Sequence, residues 1–184
     1  MTAIGLFRGY EDGTFKPDKP VMQSEAVVVI TKIAEATPEE SEGGLKEDEL
    51  ADTPPWARES IRTAAKLGIV NLNRFHSAVQ ATRAQVAVWV AKALNLEPVE
   101  TSDVPFKDRI LISPEDLGYI MALYEAGIIK GTPDGKFNPN SAITRAELAT
   151  IMEKILNNFA YEEQNQNSTT DKVRTKTPSA REGL

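Results

Sequence analysis

Apolar residues recur along this chain at helical spacing, in runs separated by long loops of Gly, Pro and Asp. Trp56, Ser60, Ile61, Ala64 and Leu67 fall on one helix face, and so do Leu117, Ile120, Met121, Tyr124 and Ile128. Val86 to Leu94 and Leu148 to Leu156 read as two further helices. Val21 to Ala36 is Val-rich and looks strand-like by propensity. That preference is weak, and the run aligns with Leu148 to Leu156, so a helix is expected. Thr53-Pro54 supplies a cap and a first-turn proline for one start. Ser113-Pro114-Glu115-Asp116 marks another, with acids where the helix dipole favours them. Gly68 and Gly127 end the helices before them.

The pattern is a repeat. Gly5 to Asp18 aligns on Gly127 to Asn140 without a gap, and a worn copy lies between. A loop Phe (Phe15, Phe75, Phe137) is followed eight positions later by Gln23, Arg83 or Arg145, and ten positions later by Glu25, Gln85 or Glu147. The second copy keeps Gly68-Ile69-Val70, but its loop is shorter and has lost the Asp-Gly turn. One helix pair cannot bury its apolar face alone, whereas three stacked pairs can. The expected fold is all-α: three helix-loop-helix repeats with long loops between the helices. Residues 1–36 form a first repeat without its first helix, since only Met1-Thr2-Ala3-Ile4 precede Gly5. An acidic linker follows over 37–50. The second repeat takes 51–96, a linker 97–105, the third repeat 106–158, and a disordered tail 159–184.

A net charge of −6 argues against nucleic-acid binding, which needs a basic surface. No run approaches the ~20 apolar residues of a membrane span, so no membrane insertion is expected. The N-terminus lacks the order of a secretion signal. Cys is absent, which removes disulfides and thiolate metal sites. Asp12-Gly13 and Asp134-Gly135 hint at calcium loops. The positions two and four before each Asp hold Tyr10 and Arg8, or Thr132 and Lys130, and a cation beside calcium is wrong. These pairs are turns, and no metal is expected. The single His, His76, has no Ser-His-acid set around it in the sequence. Neither catalysis nor a cofactor is expected.

The helix openings carry the chemistry. Thr144 with Glu147, and Thr82 with Gln85, have the spacing of capping boxes. Met22 breaks the pattern in the first copy. Arg83 and Arg145 stand at first helical positions, where a cation is disfavoured by ~0.3–1 kcal/mol. A nearby carboxylate would offset this, with Asp52 and Asp108 as candidates. An anionic ligand at the helix N-terminus would too.

Phe106-Lys107-Asp108 and Gly127 to Leu156 resemble the S-layer homology domain, whose signature runs Phe-x-Asp, helix, Gly-Ile-x-x-Gly-Tyr-x-Asp-Gly-x-Phe-x-Pro, Ile-Thr-Arg-Ala-Glu, helix. Gly5 to Pro17 matches the middle of it, and the second copy matches at Asp52, Trp56, Gly68-Ile69 and Thr82-Arg83-Ala84-Gln85. The resemblance implies a pseudo-threefold spindle around a central helix bundle. It also implies a non-catalytic, extracellular anchor to the cell wall or surface layer. The partner it implies is a cell-wall polysaccharide, a pyruvylated secondary polymer or a peptidoglycan-linked glycan, held in grooves between repeats. By position the contacts would be Arg83, Arg145, Asp52, Asp108, Trp56 and Gly131. Self-association through the same grooves is the alternative. Gln23 in place of Arg, and the shortened second loop, limit the expected working grooves to two.

Overall fold

The computed structural model describes residues 12–34, 50 and 52–158. The expected stub at residues 1–4, most of the acidic linker and the tail lie outside the described residues. Among the described residues there are five α-helices and no strand: α1 (Gln23–Ala34), α2 (Arg58–Lys66), α3 (Arg83–Ala93), α4 (Pro114–Glu125) and α5 (145–158).

α1 and α3 form the interior. Gln23, Ser24, Ala26, Val27, Val29, Ile30, Thr31 and Ala34 of α1 are all buried. In α3 burial is continuous from Val86 to Ala91. A helix covered on nearly every side needs no single apolar stripe. That is why a Val-rich run with strand propensity is helical here. α1 packs on α2 and α3, and α3 packs on α4. α2 is the amphipathic outer type, with Ile61 and Ala64 fully buried.

The start of α2 differs from expectation. Thr53 is buried but caps nothing: Pro55–Ala57 form a 3-10 turn without a side-chain cap, and the α-helix opens only at Arg58. Pro54 and Pro55 cannot donate amides, so the first turn is tight rather than α-helical. The delay rotates Trp56 off the core face, leaving it 59% exposed. In α4, Ile120 and Met121 are buried while Tyr124 faces solvent. Gly68 (φ 68°) and Gly127 (φ 71°) adopt the left-handed conformation that ends α2 and α4. Gly118, inside α4, has another reason. A Cβ there would stand 2.8 Å from that of Pro98, so Pro98 and Val99 lie tight against the helix, with the Val99 amide donating to the Gly118 carbonyl.

The three helix openings bond to one another in a closed cycle. The Val21 amide donates to Ile143 (3.0 Å), that of Ile143 to Ala81 (3.0 Å), and that of Ala81 back to Val21 (2.9 Å). Bridges Met22–Gln80, Thr82–Ala142 and Thr144–Pro20 repeat the cycle one position out. Val21, Ala81 and Ile143 are fully buried at its centre.

Each opening is capped locally. The Thr82 hydroxyl accepts from the Gln85 amide, and the Gln85 side chain accepts from the Thr82 amide. Thr144 and Glu147 do the same at 3.2 and 2.9 Å. In the first copy Met22 supplies no hydroxyl, but the Glu25 carboxylate still accepts from its amide (2.9 Å). Thr82→Ala should therefore cost about 1 kcal/mol, read as a small drop in melting temperature with helix content kept.

The Asp-Gly turns are self-contained. The Thr14 hydroxyl, then Lys16, hold the Asp12 carboxyl below its ordinary range. Thr132, then Lys136, do the same for Asp134.

Candidate functional site

The capped opening of α3 aims Arg83 across the boundary between the second and third copies. Its Nε donates to the Phe137 carbonyl (2.9 Å) and its Nη2 to the Lys130 carbonyl (2.9 Å). Its Nη1 lies 3.3 Å from the Glu147 carboxylate, and the guanidinium covers the Phe137 ring at 5.2 Å. Arg145 repeats the arrangement between the third and first copies. Its Nε donates to the Phe15 carbonyl (2.9 Å), the guanidinium lies 4.9 Å from the Phe15 ring, and the residue is buried. Gln23 fills the same place between the first and second copies, accepting from the His76 amide (2.9 Å). The residue opening each inner helix thus holds the loop backbone of the next copy.

Two expectations are corrected here. The carboxylate that offsets Arg83 is Glu147, from the following copy, not Asp52 or Asp108. The first helical amides are not free for an anion either. Those of Arg83 and Ala84 donate to Ser141 and Pro139, and those of Arg145 and Ala146 to Lys19 and Pro17. Neighbouring loops already occupy the helix N-termini.

The remaining candidates separate. Asp108 is a clamp: its two oxygens accept from the Phe137 and Asn138 amides at 2.8 and 2.7 Å. Asp52 is exposed, and its carboxylate has no hydrogen-bond or ion-pair partner among the described residues. Its backbone carbonyl accepts from the Ser77 hydroxyl (2.7 Å). Trp56, four positions on, presents its ring to solvent. Gly131 lines an open cleft of about 550 Å³ with Phe106, Tyr124, Glu125, Lys130 and Thr132. A Cβ at Gly131 would come within 3.2 Å of the Phe106 ring and of the Lys136 carbonyl. Glycine is what lets the loop close over that ring, which Tyr124 also meets edge-on at 5.4 Å.

One residue escaped the sequence reading. Lys154 of α5 donates to the Ile128 carbonyl (3.2 Å). Burial, then Lys130 and Arg83, pull its ammonium below the ordinary lysine value. A signal was present: Lys154 lies seven residues after Glu147, two turns along the same face.

The S-layer homology domain family model matches residues 2–27 and 105–149. Over these two stretches the chain is similar to that family. Among similar proteins are cell surface glycoprotein 1 of Acetivibrio thermocellus, 30% identical over 165 residues, and the cellulosome-anchoring protein of the same organism, 29% identical over 159 residues. These alignments cover 81% and 82% of this chain, but 7% and 35% of the relatives. The S-layer protein sap of Bacillus anthracis is 34% identical over 103 residues, 53% of this chain and 12% of its own length. The chain thus spans about a third or less of each of these relatives.

Proposed function

We propose that this chain is a non-catalytic module that anchors an extracellular protein to the bacterial cell wall. Its ligand in this reading is an anionic, pyruvylated secondary wall polysaccharide, bound at the boundaries between repeats 1–36, 51–96 and 106–158. The cycle of backbone bonds among the helix openings supports a threefold arrangement of these repeats. The observation that carries the reading is the cationic boundary between the second and third repeats. There the Arg83 guanidinium holds the Lys130 backbone carbonyl, and Lys130 lines a cleft with Gly131, Tyr124 and Glu125. A pyruvyl ketal brings one carboxylate on a sugar ring, which suits cations flanked by an aromatic wall. Trp56 and Asp52 offer a second surface, an open ring for stacking on a sugar face and an acceptor for hydroxyls.

The test is co-sedimentation of the purified chain with wall polymer, before and after removal of the ketal. Retention is expected only with the ketal in place. Equal retention would remove the anionic ligand from the proposal. No retention, with concentration-dependent oligomers in ultracentrifugation, would favour self-association instead. Trp56→Ala should leave stability within about 0.5 kcal/mol of wild type, since its side chain is largely outside the core. It should weaken polymer binding by roughly three- to tenfold, the loss of one aromatic stacking contact.

A further inference from the structure

Arg83, Lys130 and Lys154 converge on the loop that follows α4. Arg83 holds the Lys130 carbonyl and Lys154 holds the Ile128 carbonyl two residues earlier. One of the three has a carboxylate: Arg83, with Glu147. Neither lysine ammonium has an acidic partner among the described residues. Lys154 uses one of its three protons on Ile128, and the Lys130 side chain is exposed. Two ammonium groups without a carboxylate thus belong to one short stretch of loop at the edge of the boundary, Lys130 within it and Lys154 bonded to it. Burial, then the neighbouring charges of Lys130 and Arg83, lowers the Lys154 ammonium below its ordinary value, in keeping with that placement.

The repeat register gives a second, independent observation. Aligned by their loops and inner helices, Arg83, Lys130 and Lys154 correspond in the sequence to Arg145, Arg8 and Lys32, of which Arg8 lies outside the described residues. At the remaining boundary the set is Gln23, Asn71 and Lys92. There Lys92 covers the Tyr119 ring at 5.4 Å. Where the arginine is kept the two further cations are kept, and where it is replaced the set is reduced to a lysine engaged by an aromatic ring.

We propose that Lys130 and Lys154 make the boundary between the second and third repeats selective for paired negative charge, two acidic groups on neighbouring sugars, with Lys154 setting the preference. This rests on the wall-anchoring reading and specifies its ligand. Arg83, engaged by Phe137, Lys130 and Glu147, shapes the site. The two lysines carry the charge that a ligand must meet. A single carboxylate satisfies one of them, and a second acidic group satisfies the other.

The experiment is calorimetric titration of the whole chain with two probes. One is a disaccharide bearing a single pyruvyl ketal; the other is the same disaccharide with a uronic acid as its second sugar. Wild type should bind the diacid about tenfold or more tightly than the monoacid. Lys154→Gln should bring the two within about twofold, with the melting temperature unchanged or about 1–2 °C higher as repulsion is relieved. Lys130→Gln, altered only at an exposed side chain, should reduce the preference likewise. Equal binding of both probes by wild type would overturn the proposal while leaving wall anchoring in place. So would a Lys154→Gln variant that loses both probes in step with a lower melting temperature. Binding of neither probe by wild type would overturn both readings.

Discussion

Phe137→Ala is expected to lower stability by about 3–5 kcal/mol, the cost of removing a fully enclosed aromatic side chain from a core that cannot close over the gap. The melting temperature should fall by roughly 6–20 °C, measured by circular dichroism. Phe137 is where the third copy's loop joins both the core and its neighbour. Its ring lies 5.2 Å from Phe106 and beneath the Arg83 guanidinium. Its carbonyl accepts from Arg83, and its amide donates to Asp108. Removing the ring withdraws the surface on which Arg83 lies, so the loss exceeds one cavity's worth of packing. Phe137→Leu should cost much less, about 1–1.5 kcal/mol, because an apolar body still fills the space. A cost below about 1 kcal/mol for the alanine would show that the loop is held some other way.

Asp108→Ala should cost about 2–4 kcal/mol. It strands two amides that now donate to a carboxylate, and bonds to a charged acceptor contribute about 1.5–3 kcal/mol each without adding fully. One of those amides belongs to Asn138, which sits at φ 58°, a left-handed conformation that needs outside support. Asp108→Asn keeps one good acceptor and should cost roughly half as much. Amide hydrogen exchange at Phe137 and Asn138 reads the effect directly. If exchange there accelerates and polymer binding falls with it, Asp108 acts by building the loop. Unchanged exchange with lost binding would make it a ligand contact. The same distinction governs Arg83, whose truncation frees two loop carbonyls as well as removing a charge.

The repeat register was legible in the sequence because it rests on short-range chemistry. The Thr82–Gln85 and Thr144–Glu147 boxes, the glycines ending α2 and α4 and the Asp-Gly turns are each decided within a few residues. What the register could not supply was which copy answers which. Asp108 reaches Phe137 and Asn138 across some thirty positions, and Arg83 reaches Glu147 across 64. Such partners are set by how repeats meet, and aligning copies shows equivalence rather than contact. The misplaced Trp56 has a different origin. A helical phase counted from Thr53 assumes a regular first turn, and two consecutive prolines reset it.

The ring of bonds joining Val21, Ile143 and Ala81 has a bearing on crowding. Short extended segments usually leave one side's amides and carbonyls available to a stranger's backbone, and so invite zippering between molecules. In this ring each of the three residues donates to one neighbour and accepts from the other, so at these three positions no backbone group is left for a foreign chain to extend. Where copies of a chain stand side by side, a closed ring of this kind, with Pro20 beside it as a residue that cannot donate, keeps those positions from seeding aggregates.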